Sequence, residues 1–327
     1  MNEDCLKLTI YFGERDRAGD AFLADALLDL FGRARVATSV LLRGAEGFGA
    51  KHRLQTSRLL TLSEDLPVVA VAVDAREKIE ALVPEANAIV GDGLVTLERA
   101  LLVSGELEAV APAGPSKLTV YCGRGEPVLE LISLLHERGV AGATVLLGVD
   151  GTAHGERRRA RFFGGNAEVP LMVISVGEGE QLGALLPEIG ALLHRPLVTL
   201  EGVTVCRRDG EALAALPPPT RDWQKLMVYT SEQARHGGHP LHVALVRRLR
   251  SEQASGATAL RGFWGYHGDH APHGDRLLSL RRHVPVVTVV VDTPERTRRW
   301  FEVVSELTAD TGLVTSENVP VAQVHST

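Results

Sequence analysis

The sequence predicts an α+β chain of three tandem units, and three recurring segments carry that prediction. Lys7-Leu8-Thr9-Ile10-Tyr11 returns as Lys117-Leu118-Thr119-Val120-Tyr121 and as Lys225-Leu226-Met227-Val228-Tyr229, at offsets of 110 and 108 residues. A proline leading a largely β-branched run occurs as Pro67–Val73, Pro170–Val176 and Pro285–Val291. Each unit closes on one sequence theme, Gly93-Leu94-Val95-Thr96-Leu97-Glu98, Pro196-Leu197-Val198-Thr199-Leu200-Glu201 and Gly312-Leu313-Val314-Thr315-Ser316-Glu317. Ordered self-similarity of this kind outranks any local motif. Between the units, Ala111–Ser116 and Leu216–Thr220 are proline-rich and resist both helix and strand ladder. The units are therefore 1–110, 116–211 and 221–327, each large enough for a modest core of its own.

The elements follow in order. Leu6, Leu8, Ile10 and Phe12 alternate with Lys7, Thr9 and Tyr11, the period of a strand with one buried face. Leu23, Leu27, Leu30 and Phe31 then fall at helical spacing, with Gly32 expected as the C-terminal cap. The second unit repeats this with Leu131, Leu134, Leu135 and Gly139, and the third with Leu241, Leu245, Val246 and Leu249. A strand over 36–42, a long polar stretch over 43–66 and the Pro-initiated strand come next. Asp74 is expected to cap a second helix carrying Ile79, Leu82 and Val83, matched by Leu182, Leu185, Leu186 and Ile189, and by Trp300, Phe301, Val304 and Leu307. The Leu-Val-Thr segment is the last strand. Strand, helix, strand, strand, helix, strand is the ferredoxin-like split βαβ order, with both helices on one face of an antiparallel sheet. The other face would be bare in a single unit, so three linked units are expected to turn these faces inward as an intramolecular pseudo-trimer.

Composition limits the function classes. Hydrophobic residues are 45% and charged residues 23% of the 327, which excludes disorder. No apolar run reaches a membrane span and Met1-Asn2-Glu3-Asp4 is acidic, so the reading is a cytoplasmic protein without membrane insertion. Cys5, Cys122 and Cys206 are three and far apart, against a disulfide framework or a zinc ribbon. The net charge of −6 argues against a dedicated nucleic-acid binder.

The polar stretch after the second strand has a glycine-rich base in every unit: Arg43-Gly44-Ala45-Glu46-Gly47-Phe48-Gly49, Gly148-Val149-Asp150-Gly151 and Arg261-Gly262-Phe263-Trp264-Gly265. Glycine lets main-chain N–H groups approach an anion and an adjacent arginine adds charge-assisted bonds; the alternative is a tight turn and nothing more. The run from Gly44 to His52 approaches a P-loop, but its lysine is displaced and no Ser or Thr follows to hold magnesium. Lys51, His52, Arg53 and Arg58 mark the first loop and Arg157-Arg158-Arg159 with Arg161 the second; such runs are ordinarily solvated faces, with phosphate or partner contact as the alternative. Seven of the 12 histidines lie between 236 and 283, in two triplets of one spacing, His236/His239/His242 and His267/His270/His273. The second, on a Gly/Pro-rich loop, is the candidate metal site, against a reading as polar filler. No nucleophile, base and orienting group can be assembled from spacing, so the chain is read as non-catalytic.

A second glycine turn, Val90-Gly91-Asp92-Gly93-Leu94, enters the last strand of the first unit. Strand order, the long loop and this turn together resemble the PII signal-transduction superfamily. All three units more closely resemble the PII-like family of domain of unknown function 190, through Leu8 to Tyr11, Arg43 to Gly49 and Leu66 to Val69. The resemblance covers nearly the whole chain and is strongest in the first unit. It implies adenine nucleotide (ATP, ADP, AMP or a cyclic form) bound in clefts between units, and signalling through the loops to a target protein such as a membrane transporter. Carried over by position, it points to Arg43, Gly44, Gly47, Gly91, Asp92 and Gly93, to Gly148 and Gly151, and to Arg261, Gly262, Gly265 and Gly312. The second unit departs from the pattern: Leu147 replaces the arginine, and His194-Arg195-Pro196 replaces the turn. The competing reading is a metal-binding protein similar to the trimeric CutA group, using the loop histidines.

Overall fold

The computed structural model describes residues 2–49, 52, 54–56, 65–160, 166–267, 272–274 and 284–325. Alternation along the opening strands Asn2–Gly13, Pro115–Gly123 and Trp223–Ser231 sets the layout, because the two faces of each strand enter different cores. In every repeat the opening strand lies between the Pro-initiated strand and the closing strand. The former are Pro67–Ala75, Pro170–Glu178 and Pro285–Asp292; the latter are Gly93–Val103, Leu197–Gly202 and Leu313–Val319. The second strands, Thr38–Arg43, Gly142–Leu147 and Ala257–Arg261, pair outside the Pro-initiated ones. All of these pairings are antiparallel.

Each repeat's helices cover one face. Leu8, Ile10, Leu27, Phe31 and Ile79 build the first repeat's core, and analogous clusters build the second and third. The opposite faces meet in a fourth core shared by all repeats, in which Val71 and Val73 pack with Met172, Ile174, Val287 and Val289. Ala70 and Ala72, one residue out of phase, belong to the first repeat's own core. Neighbouring residues of one strand thus serve two cores, and burial on both faces explains why these runs are continuously apolar.

Two elements in each repeat lie outside the six that sequence pattern predicts. The base of the long loop is a short strand, Glu46–Phe48, Asp150–Ala153 or Trp264–His267, and it pairs with the second strand of another repeat. Glu46–Phe48 joins 257–259 in the third repeat, Asp150–Ala153 joins 38–41 in the first, and Trp264–His267 joins 142–145 in the second. The end of the closing strand in the first repeat, and the chain after it in the other two, also cross over. Leu101–Val103 pairs with 198–200, Thr204–Arg208 with 313–316, and Val321–His325 with 93–96. Every pair of repeats is consequently joined by two main-chain pairings.

Three local expectations are revised. The first helix runs Leu23–Arg33 with Ala34 as its C-cap, so Gly32 is inside its last turn and Arg35 (φ 51°) takes the left-handed position that Gly139 (φ 72°) takes in the second repeat. Asp74 is not a helix cap. Its carboxylate accepts the N–H groups of Ala37 and Ala75, both at 2.8 Å, and pairs with Lys78, tying the second strand to the helix start. The second repeat's second helix is broken into Gly179–Ala184 and Leu186–Leu192, with Pro187 in the first turn of the latter, where its missing N–H is tolerated. Among the described residues, no helix is long and apolar enough to cross a membrane.

Candidate functional site

The shared core holds six charges. Lys7, Lys117 and Lys225, from the opening marker, sit directly opposite Glu98, Glu201 and Glu317, from the closing marker, in the antiparallel register of each repeat. All six are buried. Each lysine also reaches the glutamate of another repeat. Lys7 contacts Glu98 at 2.6 Å and Glu201; Lys117 contacts Glu201 at 2.9 Å and Glu317 at 2.6 Å; Lys225 contacts Glu317 at 2.9 Å and Glu98 at 2.7 Å. Signs alternate and the set is neutral, which is how buried charge is tolerated. Burial alone would depress Lys7, but Glu201 and Glu98 outweigh it and hold the ammonium well above its ordinary range. Burial would raise Glu98, and Lys225, Lys7 and Lys117 reverse this and hold it well below the carboxylate range. Glu317 is likewise lowered, against burial, by Lys117 and Lys225. Lys225 is the exception: burial pushes it down ahead of the opposing pull of Glu317 and Glu98. The three carboxylates lie close enough to share a cation, but three ammonium groups already neutralise them.

Sequence reasoning missed this cluster. The signal was present, since lysine opens and glutamate closes all three pairs of markers while the residues around them vary. Lys7 is in phase with Thr9 and Tyr11, on the face expected to turn inward.

The resemblance-derived residues gather at one end of each sheet. In the first repeat Arg43 lies opposite Val68, Gly13 opposite Pro67 and Tyr11 opposite Leu94, so the loop base and the Gly91–Gly93 turn share that end. Three strand spacings, about 14 Å, separate Arg43 from Gly93 across it. Arg43 pairs with Glu14 at 2.8 Å and Arg261 with Glu232 at 3.0 Å. The second repeat replaces both partners: Leu147 stands for the arginine, and Arg124 stands for the glutamate and donates to the Gly148 carbonyl.

The loop-base glycines have a structural task at the seams. A Cβ on Gly44 would stand 2.6 Å from Pro67 Cγ, and one on Gly262 2.7 Å from Pro285 Cγ; one on Gly148 would stand closer still to the carbonyl oxygen of Pro170. A Cβ on Gly47 would stand 2.6 Å from the carbonyl oxygen of Ala257 in the third repeat, and Gly151 and Gly265 meet Ser39 and Ala143 in the same way. The first glycine clears the repeat's own proline and the second lets the loop base pair with a neighbour. The Gly44 N–H donates to Pro67 O at 2.7 Å and the Ala45 N–H to Ala259 O at 2.8 Å. At the turn, Gly91 faces open space, whereas Gly312 (φ 90°) needs glycine for its backbone conformation.

Two of the second loop's arginines, Arg157 and Arg159, clasp the first repeat, whereas Arg158 pairs within its own repeat with Glu156 and with Glu168 at 3.1 Å. Arg157 pairs with Asp150 at 2.8 Å and with Asp25 at 3.0 Å and Asp29 on the first repeat's helix, and Arg159 reaches Asp25 at 3.2 Å. Lys51, Arg53, Arg58 and Arg161 lie outside the described residues. Of the metal candidates, His267 pairs opposite Gly142 and His273 opposite Gly265, and His270 lies outside the described residues. His236 and His239 face each other in a hairpin, and His242 is buried in the helix that follows. Burial pushes the Cys5 and Cys122 thiols up to about 12 and Cys206 up to about 11, so none is a ready thiolate at neutral pH.

Comparison with known proteins matches the family model of DUF190, described as an uncharacterized ACR, over residues 5–102, 117–205 and 223–321. The chain belongs to this family. It carries three copies of the unit, in tandem. A UPF0166 protein of Aquifex aeolicus (strain VF5) is 31% identical over 96 residues, which are 29% of this chain and 90% of that protein. That relative is therefore about as long as one repeat. Among solved structures, an aspartate kinase from Synechocystis aligns at a TM-score of 0.26 and 10% identity over 97% of this chain and 44% of its own; this chain spans less than half of it, and the likeness carries no argument.

Proposed function

We propose that the chain is a non-catalytic, single-chain PII-like regulator: a pseudo-trimer of ferredoxin-like units that binds an adenine nucleotide at the seams and engages a target protein through its loops. The observation that carries this reading is the crossing of each loop base. Each of the three long loops leaves from a strand paired to another repeat, so a ligand at the seam would contact the loop's root and two repeats together. Such a ligand could bias both the loop and the junction, which is the requirement for coupling small-molecule binding to a partner. Arg43, paired with Glu14, and Arg261, paired with Glu232, supply cationic groups at these sheet ends of the kind that bind phosphate. The one-repeat length of the Aquifex relative supports the pseudo-trimer, since three linked copies supply in one chain what three separate chains would supply.

Isothermal titration with ATP, ADP, AMP and cyclic AMP tests the nucleotide part. Binding at micromolar concentration, weakened about tenfold or more by Arg43→Ala through loss of a charge-assisted bond, is the expected result. No heat with any of the four at millimolar ligand removes it. The protein partner is tested by affinity capture with and without nucleotide, followed by reconstitution of the purified pair; a complex indifferent to nucleotide contradicts the regulatory reading.

A further inference from the structure

The chain after the second repeat folds back as a hairpin, Thr204–Arg208 against Glu211–Ala212, with Asp209 and Gly210 at its tip in left-handed conformation (φ 46° and 88°). The hairpin lies along the third repeat's closing strand, with Arg208 opposite Leu313 and Arg207 opposite Val314. Its tip lands on the turn that enters that strand. The Asp209 N–H donates to Gly312 O at 2.7 Å, and the Gly312 N–H donates to Asp209 Oδ1 at 3.1 Å. Arg207 Nη2 braces the tip by donating to Gly210 O at 2.8 Å. A carboxylate from one repeat thus occupies a main-chain donor of the next, at a turn where a bound anion would use such a donor.

The equivalent turns are built differently. Pro196 stands in the second repeat where Gly312 stands in the third, and proline has no N–H to offer. In the first repeat the strand laid against Gly93 is Val321–His325, with His325 opposite Gly93, and that strand carries no acid. The donor is therefore missing at one seam, held by a neighbour's carboxylate at another, and set against a neighbour's main chain at the remaining one.

We infer that Asp209 is a resident stand-in for the anionic group of a ligand, closing the seam between the second and third repeats to nucleotide until the hairpin lifts. This rests on the nucleotide reading for its ligand, but not for the contact itself. The test compares the full chain with Asp209→Ala in two measurements: calorimetric titration with ATP, and amide hydrogen exchange across residues 309–316 with and without inorganic phosphate. Asp209→Asn keeps an acceptor oxygen and removes the charge, and controls for folding of the hairpin. Asp209→Ala is expected to bind one more ATP than the wild-type chain. Exchange at Gly312 is expected to quicken about tenfold in Asp209→Ala, the loss of one hydrogen bond, and to slow again when phosphate is added. Equal, non-zero stoichiometry in the two proteins overturns the inference and leaves the nucleotide reading standing. ATP binding to neither removes the nucleotide reading; phosphate-dependent protection confined to the variant then upholds Asp209 as an anion's stand-in, and unchanged exchange at Gly312 sinks it.

Discussion

Replacing Lys117 with methionine removes one of the six charges in the shared core with little change in volume. Lys117 is the common partner of Glu201 at 2.9 Å and Glu317 at 2.6 Å, and a third carboxylate, Glu98, lies at 4.0 Å. Without it the neutral set becomes a buried set of net charge −1, in which Glu201 keeps Lys7 and Glu317 keeps Lys225. Breaking a buried pair by deleting one partner costs about 3–5 kcal/mol, because the charge left behind is uncompensated. Urea unfolding followed by circular dichroism measures this as a lower midpoint at unchanged slope. A second signature is specific to charge. In the wild type, Glu98 and Glu317 titrate below their unfolded range, so their contribution is complete above about pH 4.3 and is lost as pH falls through their folded values. In Lys117→Met the surplus carboxylate is expected to hold a proton more tightly folded than unfolded, so acidification from pH 7 to about pH 5 should stabilise the variant. The double variant Lys117→Met/Glu317→Gln restores neutrality and should recover a coupling energy of about 1–3 kcal/mol. A cost below about 1 kcal/mol, with an acid response like the wild type's, would refute a neutralising role for these six residues.

The seam glycines give a graded set of expectations. Gly47→Ala drives a methyl group against Ala257 O and should lower stability by about 1–3 kcal/mol, whereas Gly91→Ala, which meets nothing, should stay within about 0.5 kcal/mol on the same thermal melt. Arg157→Ala should cost about 1–3 kcal/mol, because it removes the partner of the buried Asp150 as well as the partly exposed pairs with Asp25 and Asp29, and about 1 M salt should remove only the share owed to the exposed pairs. On the alkaline side, Lys7 is raised, so its contribution is complete below about pH 10.4 and is lost only above that as pH passes its folded value. Lys225, held low by burial, should be the first of the three lysines to lose its proton in a high-pH titration followed by NMR, and Lys7 titrating before it would contradict the assignment.

Much of the fold was legible because it rests on short-range pattern. Alternation in Leu6–Phe12, the proline before each β-branched run and the spacing of Leu23, Leu27 and Phe31 each report local geometry, and all became the expected elements. The loop-base strands were hidden for a physical reason. Glu46–Phe48 is three residues long, has glycine at its centre and after its end, and is held by pairing with residues more than 200 positions away, so nothing local marks it as a strand. The spacing of the loop-base glycines meets the clearance of Pro67 and Ala257 O, which sequence alone does not distinguish from clearance of a phosphate. Asp74 was misread because a carboxylate ahead of a helix resembles a cap, and only the fold brings the Ala37 N–H to it. The central charges escaped because Lys7 lies in phase with Thr9 and Tyr11, on the face opposite Leu6 and Leu8, where its burial is set by the neighbouring repeats and not by local pattern.

Small-angle scattering on the monodisperse chain, with mass taken from the same elution, tests the central claim most directly. Three repeats sharing one core should give a radius of gyration of about 20 Å for 327 residues at the mass of one chain. A clearly larger radius at that mass, with three separable lobes, would contradict it.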